Sequence, residues 1–349
     1  VLAHHLAITY GNIPAWTYLE PPSNPAEGAP LDLLVGLNQV YFMGFFFLLS
    51  GYFTPRSFDT KGARRFSLDR LRRLGIPLLA FLFLLRPLYT LPAYFAIAPD
   101  ERPSYALYYV LSFDPGPLWF VEVLLVFALG YALVRTWRPA PAKVVDEQAR
   151  PPRIWAVLGY GVALGAVSFL WRMLVPVGTY IPVVGLPSAA YLPQYLSLFA
   201  VGVLAYRRNW FHRLPGSYGW LGGAVMLVAS IVFLPLMNLD ASAGQSAGGS
   251  AALAQAMWDA LFSVGAILVL FTVFRRFLDR RGRLGGFLAR NAFAVYVIHP
   301  VVLVAIGVSL RGLDLNHLLK FALTLAIAVP VTWLLAAAVR RLPVARGVL

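Results

Sequence analysis

The chain predicts an all-α polytopic membrane protein, a bundle of about ten transmembrane helices with both termini cytoplasmic. Three observations lead there. Hydrophobic residues make up 59% of the 349 and charged residues only 13%, for a mean hydropathy of +0.70. Apolar runs of bilayer-crossing length recur along the chain, separated by connections bearing Gly, Pro, Asp and Asn. Lys and Arg crowd into alternate connections and nearly vanish from the others.

The first apolar stretch, residues 1–10, is too short to cross a bilayer, so a first helix truncated at its start is expected. Nine further spans follow at 33–53, 75–97, 118–135, 154–174, 191–207, 218–237, 254–274, 292–310 and 319–339. Pro21-Pro22-Ser23-Asn24-Pro25 and the small-residue run 241–252 read as connections. No polar segment is long enough for a soluble domain, no internal repeat is evident, and nothing resembles a cleavable signal peptide. Residues 1–349 therefore read as one integral-membrane domain.

A net charge of +14 raises the question of nucleic acid, which the placement of the charge answers. Segments 54–74, 135–153, 207–217, 275–290 and 340–349 hold 24 of the 29 Lys and Arg residues. The positive-inside rule assigns these to the cytoplasm, and no nucleic-acid recognition motif accompanies them. With no Cys, disulfides, thiolate chemistry and Cys-based metal sites are excluded; no metal site is expected.

Polar residues inside spans carry the functional signal, because burial in hydrocarbon is costly. His4-His5 lies in the first span, the two rings about 100° apart on a helix, so that only one faces a given site. His5 reads as a general base, or as a histidine bonded to a neighbouring helix. Ser50-Gly51-Tyr52 ends the second span, where Gly permits close helix packing. Arg64 precedes Arg70 and Arg73, which share a helix face and suit a phosphorylated ligand, an anionic lipid surface, or orientation alone. Asp114-Pro115-Gly116-Pro117-Leu118-Trp119 leads into the fourth span, with Glu122 just inside it. Glu122 is a partner for Arg86 or Arg172, or an orienting carboxylate for a histidine; Trp119 is also an interface anchor. Gln194, near the outer start of the sixth span, and Asp259, inside the eighth, are further polar candidates to which the sequence assigns no role. Asn291 is a candidate helix cap, and Tyr296 and His299 share a face, His299 more as a structural hydrogen-bonding group than a catalyst.

Taken together, His4-His5, Phe46–Tyr52, Arg64–Arg73, Pro117–Phe120, Pro193-Gln194-Tyr195 with Phe199–Gly202, and Asn291–His299 resemble the acyltransferase family 3 membrane proteins over essentially the whole chain. Within that family the chain looks closest to the branch of the glucans biosynthesis protein C, a glucan succinyltransferase. The resemblance implies transfer of an acetyl or succinyl group from cytoplasmic acyl-CoA, a co-substrate rather than a bound cofactor, to a carbohydrate hydroxyl at the outer face of a bacterial inner membrane. It selects His5 over His4, since the second histidine of such a pair fits the family's pattern; the family's arginine eleven positions earlier would precede Val1 here. It matches the family's paired arginines to Arg70 and Arg73, and its Ser-Gly-Phe element to Ser50-Gly51 with Tyr52 in place of Phe. On that resemblance, His5 and Glu122 are expected in catalysis and Arg64, Arg70 and Arg73 at acyl-CoA. His4, Ser50, Trp119, Arg172, Tyr296 and His299 are assigned to substrate or structural support. The competing class is a glycan or lipid-linked-substrate transporter, with Arg86, Glu122, Arg172 and Asp259 along its path.

Overall fold

The computed structural model describes residues 1–138, 146, 149–181, 185–239, 249–278, 282–343 and 345–349. They form a helical protein without a named strand among them; Ile181 and Leu186 make an isolated antiparallel bridge. Eight helical segments among the described residues are long and apolar enough to cross a membrane. The difference from the ten expected has two causes. The first helix, α1 (Leu2–Tyr10), has only nine residues, and the expected second and third spans lie in one helical run, Pro25–Ala96.

That run starts four residues after Pro21 because Asn24 caps it, its side chain accepting from the Ala26 N–H at 3.1 Å, with Pro25 preset for the first turn. The first part, α2 (Pro25–Arg70), is much longer than the apolar stretch 33–53 that announces it, and it breaks at Gly62, whose φ of +72° is open only to glycine-like backbone. The continuation, α3 (residues 71–96), contains π-helical turns at Leu71–Gly75 and Phe81–Leu85. Each is followed within two residues by a proline, Pro77 or Pro87, whose missing N–H leaves a carbonyl one turn back unpaired; a wider turn accommodates it. Next come α4 (Tyr105–Leu111), α5 (Trp119–Trp137), α6 (Ile154–Leu174), α7 (Leu192–Arg207), α8 (Ser217–Leu239), α9 (Ser250–Val273), α10 (Arg283–Ser309) and α11 (His317–Val339).

Glycines set the closest crossings. A Cβ on Gly51 of α2 would lie 2.1 Å from the Phe199 carbonyl oxygen, and one on Gly202 of α7 would lie 2.1 Å from that of Leu48. The two backbones therefore touch, as the Ser50-Gly51 element anticipates for close packing. Gly222 and Gly265 play the same part between α8 and α9. Gln194 ties three helices together, donating to the Val40 carbonyl and the Ser263 hydroxyl, both at 2.7 Å. Arg172 of α6 and Asp259 of α9 form a buried ion pair at 2.6 Å, with the guanidinium 4.7 Å over the Tyr191 ring. Glu122 therefore pairs with neither expected arginine: Arg172 already has Asp259, and Arg86 has no carboxylate within ion-pair reach among the described residues.

Asn291 is not a cap. The α10 helix begins two turns earlier, at Arg283, and Asn291 instead donates to the Phe287 carbonyl (2.8 Å) and accepts from Arg340 (3.1 Å). The basic connections gather at one end, where Arg207 and Arg135 engage Asp59. Short α1 packs against α2, α10 and α11, with Leu2, Leu6 and Ile8 in a core shared with Val295, Ile298 and Ala328.

Candidate active site

The end opposite the basic connections carries the cavity that matters. It has a volume of about 320 Å³, and its lining includes His5, Trp16, Arg86, Tyr89, Asp114 and Trp119. His5 reaches it because α1 is wedged between α10 and α11 and closed over by the connection 11–24. Several polar clamps hold that connection. Asn12 donates through its backbone (2.8 Å) and side chain (2.6 Å) to Asp32, and the Glu20 N–H bonds the Thr9 carbonyl at 2.8 Å. Tyr18 donates to Glu20 at 3.0 Å, and Glu20 forms an ion pair with buried Lys320. Tyr10 and Thr324 share a hydroxyl–hydroxyl bond at 3.0 Å.

These clamps set Trp16 flat against His5, ring centroids 4.2 Å apart and planes inclined by 19°. On its other side His5 stacks with His299 at 5.0 Å. His299 is fully buried and its Nδ1 meets the Tyr296 carbonyl at 2.6 Å, which is the structural hydrogen bond anticipated for it. Tyr296 donates its hydroxyl to the Pro117 carbonyl and so fixes the turn that bears Trp119. His5 Nδ1 is enclosed without a hydrogen-bond partner. His4, one residue away, is not among the lining residues and stacks instead with Phe42 at 6.2 Å.

The opposite wall is the 114–118 turn. Asp114 accepts from the Gly116 N–H at 2.6 Å, and Gly116 takes a φ of +49°. Partial burial, and then the Asp114 carboxylate beside it, push the Tyr180 phenol up to about 12, so that it stays a donor. A Cβ on Gly185 would lie 2.1 Å from Pro115, which packs the 185–191 turn onto this wall.

Of the residues singled out by sequence, the structure brings His5, Arg86, Asp114, Gly116, Pro117 and Trp119 to the cavity and sets Tyr296 and His299 directly behind it. The others lie elsewhere. Half-buried Glu122 has no hydrogen bond or ion pair among the described residues and does not line the cavity. Ser50 sits at the crossing of α2 and α7, its carbonyl bonded by Thr54. Arg64, Arg70 and Arg73 are at the basic end. Asp69 engages Arg73 at 2.9 Å and Lys61 at 2.8 Å, while half-buried Arg70 lies 5.1 Å over the Phe66 ring with its Nε unpaired. Trp16, the Glu20–Lys320 pair and Tyr89 escape sequence reasoning; the signal available for them was the aromatic run Trp16-Thr17-Tyr18 in a connection and a lysine inside a span edge.

A family model described as an acyltransferase domain matches residues 1–337. No curated protein and no solved structure matches the chain.

Proposed function

The chain belongs to the acyltransferase 3 family and is an integral, multi-pass membrane acyltransferase, and from that premise we propose that it moves an acetyl or succinyl group from acyl-CoA to a carbohydrate hydroxyl, with His5 as general base. This membership also sets aside a transporter without acyl chemistry. The observation that carries the reading is an imidazole lining a cavity, held between Trp16 and His299, with aromatic and polar groups around it suited to a sugar. Trp16, Tyr89 and Trp119 border the cavity with aromatic surface, and Asp114 and Tyr180 with hydrogen-bonding groups, a composition that suits a pyranose with its C–H surface and hydroxyls.

In the reaction the acceptor hydroxyl gives its proton to the neutral imidazole as its oxygen attacks the thioester carbonyl. The tetrahedral intermediate collapses with loss of the C–S bond, and the departing thiolate takes the proton from the imidazolium, leaving ester, CoA thiol and neutral His5. Arg70 and Arg73, with Arg64 nearby, are the groups we assign to the CoA phosphates, Asp69 being displaced from Arg73 as they bind. Topology supports an acyl-CoA approach from the basic, cytoplasmic end and an acceptor at the outer face. Glu122 receives no step. A glucan as acceptor and a bacterial inner membrane as location are proposed on the sequence's resemblance to the glucan-succinyltransferase branch alone.

Purified full-length protein incubated with radiolabelled acetyl- or succinyl-CoA and a glycan tests the reading. We expect label in alkali-labile ester on the glycan, lost by at least about a hundredfold in His5→Ala, and a raised KM for acyl-CoA in Arg70→Ala plus Arg73→Ala. Full activity in His5→Ala overturns the assignment.

A further inference from the structure

Four charged side chains are buried among the described residues: Arg86, Arg172, Asp259 and Lys320. Three of them sit in ion pairs, Arg172 with Asp259 and Lys320 with Glu20. Arg86 is the exception. At 1% exposure it forms no ion pair with a described carboxylate. Its Nη2 donates to the carbonyl and hydroxyl of Ser112, and the rings of Tyr109 and Phe113 lie 4.8 and 5.6 Å from its Cζ. Its Nε and Nη1 have no partner. A guanidinium carries five N–H donors and cannot shed its charge, so an unpaired one inside a bundle is costly and calls for a counter-ion.

Arg86 lines the same cavity as His5. The carboxylate that shares the cavity, Asp114, makes no ion pair with Arg86; it accepts instead from the Gly116 N–H at 2.6 Å and from the Tyr180 hydroxyl, and leaves Arg86 Nε and Nη1 unpartnered. We infer that Arg86 is the anion-recognition residue of this cavity, and that the substrate bound beside His5 carries a carboxylate that docks on its free N–H groups. The inference rests on the reading of His5 as the reaction centre and narrows its substrate class. The carboxylate has two possible sources: the free end of a dicarboxylic half-thioester such as succinyl-CoA, or an acidic group on the acceptor. Both would present the same chemistry to Arg86, a charge-assisted hydrogen bond in a site shielded from water.

Competition assays on the full chain distinguish them. With a neutral oligosaccharide acceptor, succinyl transfer is compared with transfer from butyryl-CoA, which has the same chain length and no charge. With acetyl-CoA, a glucuronate-bearing oligosaccharide is compared with its neutral counterpart. We expect one charged substrate to be preferred by the wild type, and Arg86→Gln to reduce that charged-to-uncharged ratio about ten- to a hundredfold. Arg86→Lys, which keeps the charge but loses the fork, retains part of it. A ratio falling in the donor arm assigns the carboxylate to the acyl group, and one falling in the acceptor arm assigns it to the glycan. Equal loss of charged and uncharged transfer in Arg86→Gln makes Arg86 a structural clamp on Ser112 and overturns the inference, as does an unchanged ratio. Titration of the detergent-solubilised protein with succinate and glucuronate, against their neutral amides, gives a readout independent of turnover. Binding of the charged members alone, weakened in Arg86→Gln, supports Arg86, whereas no charge discrimination rejects it even if the wild type transfers no acyl group and the proposed reaction itself fails.

Discussion

His5 shows how much of a residue's role is set by its neighbours. An imidazole near the end of a short helix becomes a candidate base only because Trp16 covers one face and His299 the other, which leaves the ring little rotational freedom. Trp16 in turn owes its place to a connection held by the Asn12–Asp32 bonds and the Glu20–Lys320 pair. Replacing Trp16 with Ala removes both an orienting stack on His5 and a platform for acceptor. Aromatic stacking contributes about 1 kcal/mol, so the acceptor KM should rise about fivefold with a fall in kcat, while Trp16→Phe recovers most of both. Steady-state kinetics at varied acceptor measures the split; an unchanged KM and kcat in Trp16→Ala would remove Trp16 from the site. The histidine pair was legible in the sequence because a buried imidazole is expensive, and helical geometry rightly put the two rings in different surroundings. Trp16 was not legible, since a tryptophan in a connection carries no periodic signal, and its position depends on long-range bonds to residues such as Lys320.

Between elements, the controlling contacts are backbone to backbone. The α2–α7 crossing is closed by Gly51 and Gly202, each facing a carbonyl oxygen 2.1 Å from where its Cβ would stand. Gly51→Ala must push the helices apart, and the expected cost is roughly 1–3 kcal/mol, with Gly202→Ala similar. Because both act on one crossing, the double variant should cost less than the summed singles once the helices have separated. Thermal unfolding in detergent reads this; additive losses would mean the two glycines act independently. Hydropathy makes apolar spans legible, and it placed 154–174, 191–207 and 319–339 within a few residues of α6, α7 and α11. It missed the continuity of Pro25–Ala96, because helix formation by the polar stretch 54–74 depends on backbone and packing rather than on apolar content. The same limit explains Asn291 and Glu122. A polar residue's partner is chosen by the packing of distant helices, so Arg172 found Asp259 on α9 instead of Glu122 on α5.

Across the whole molecule the charge is divided between two ends. Basic connections and Arg64, Arg70 and Arg73 gather at one, and the cavity holding His5 opens near the other. Such a division fits a thioester donor held in one compartment and an alcohol acceptor in the other, meeting at a base buried in the bundle. Reconstitution into liposomes tests this most directly, with the protein inserted in one orientation, labelled acyl-CoA at the basic end and membrane-impermeant glycan supplied to either side. The expected result is labelled ester only when glycan is on the cavity side, and none with His5→Ala. Equal labelling of glycan placed beside the acyl-CoA, or labelling that survives loss of the His5 imidazole, would contradict it.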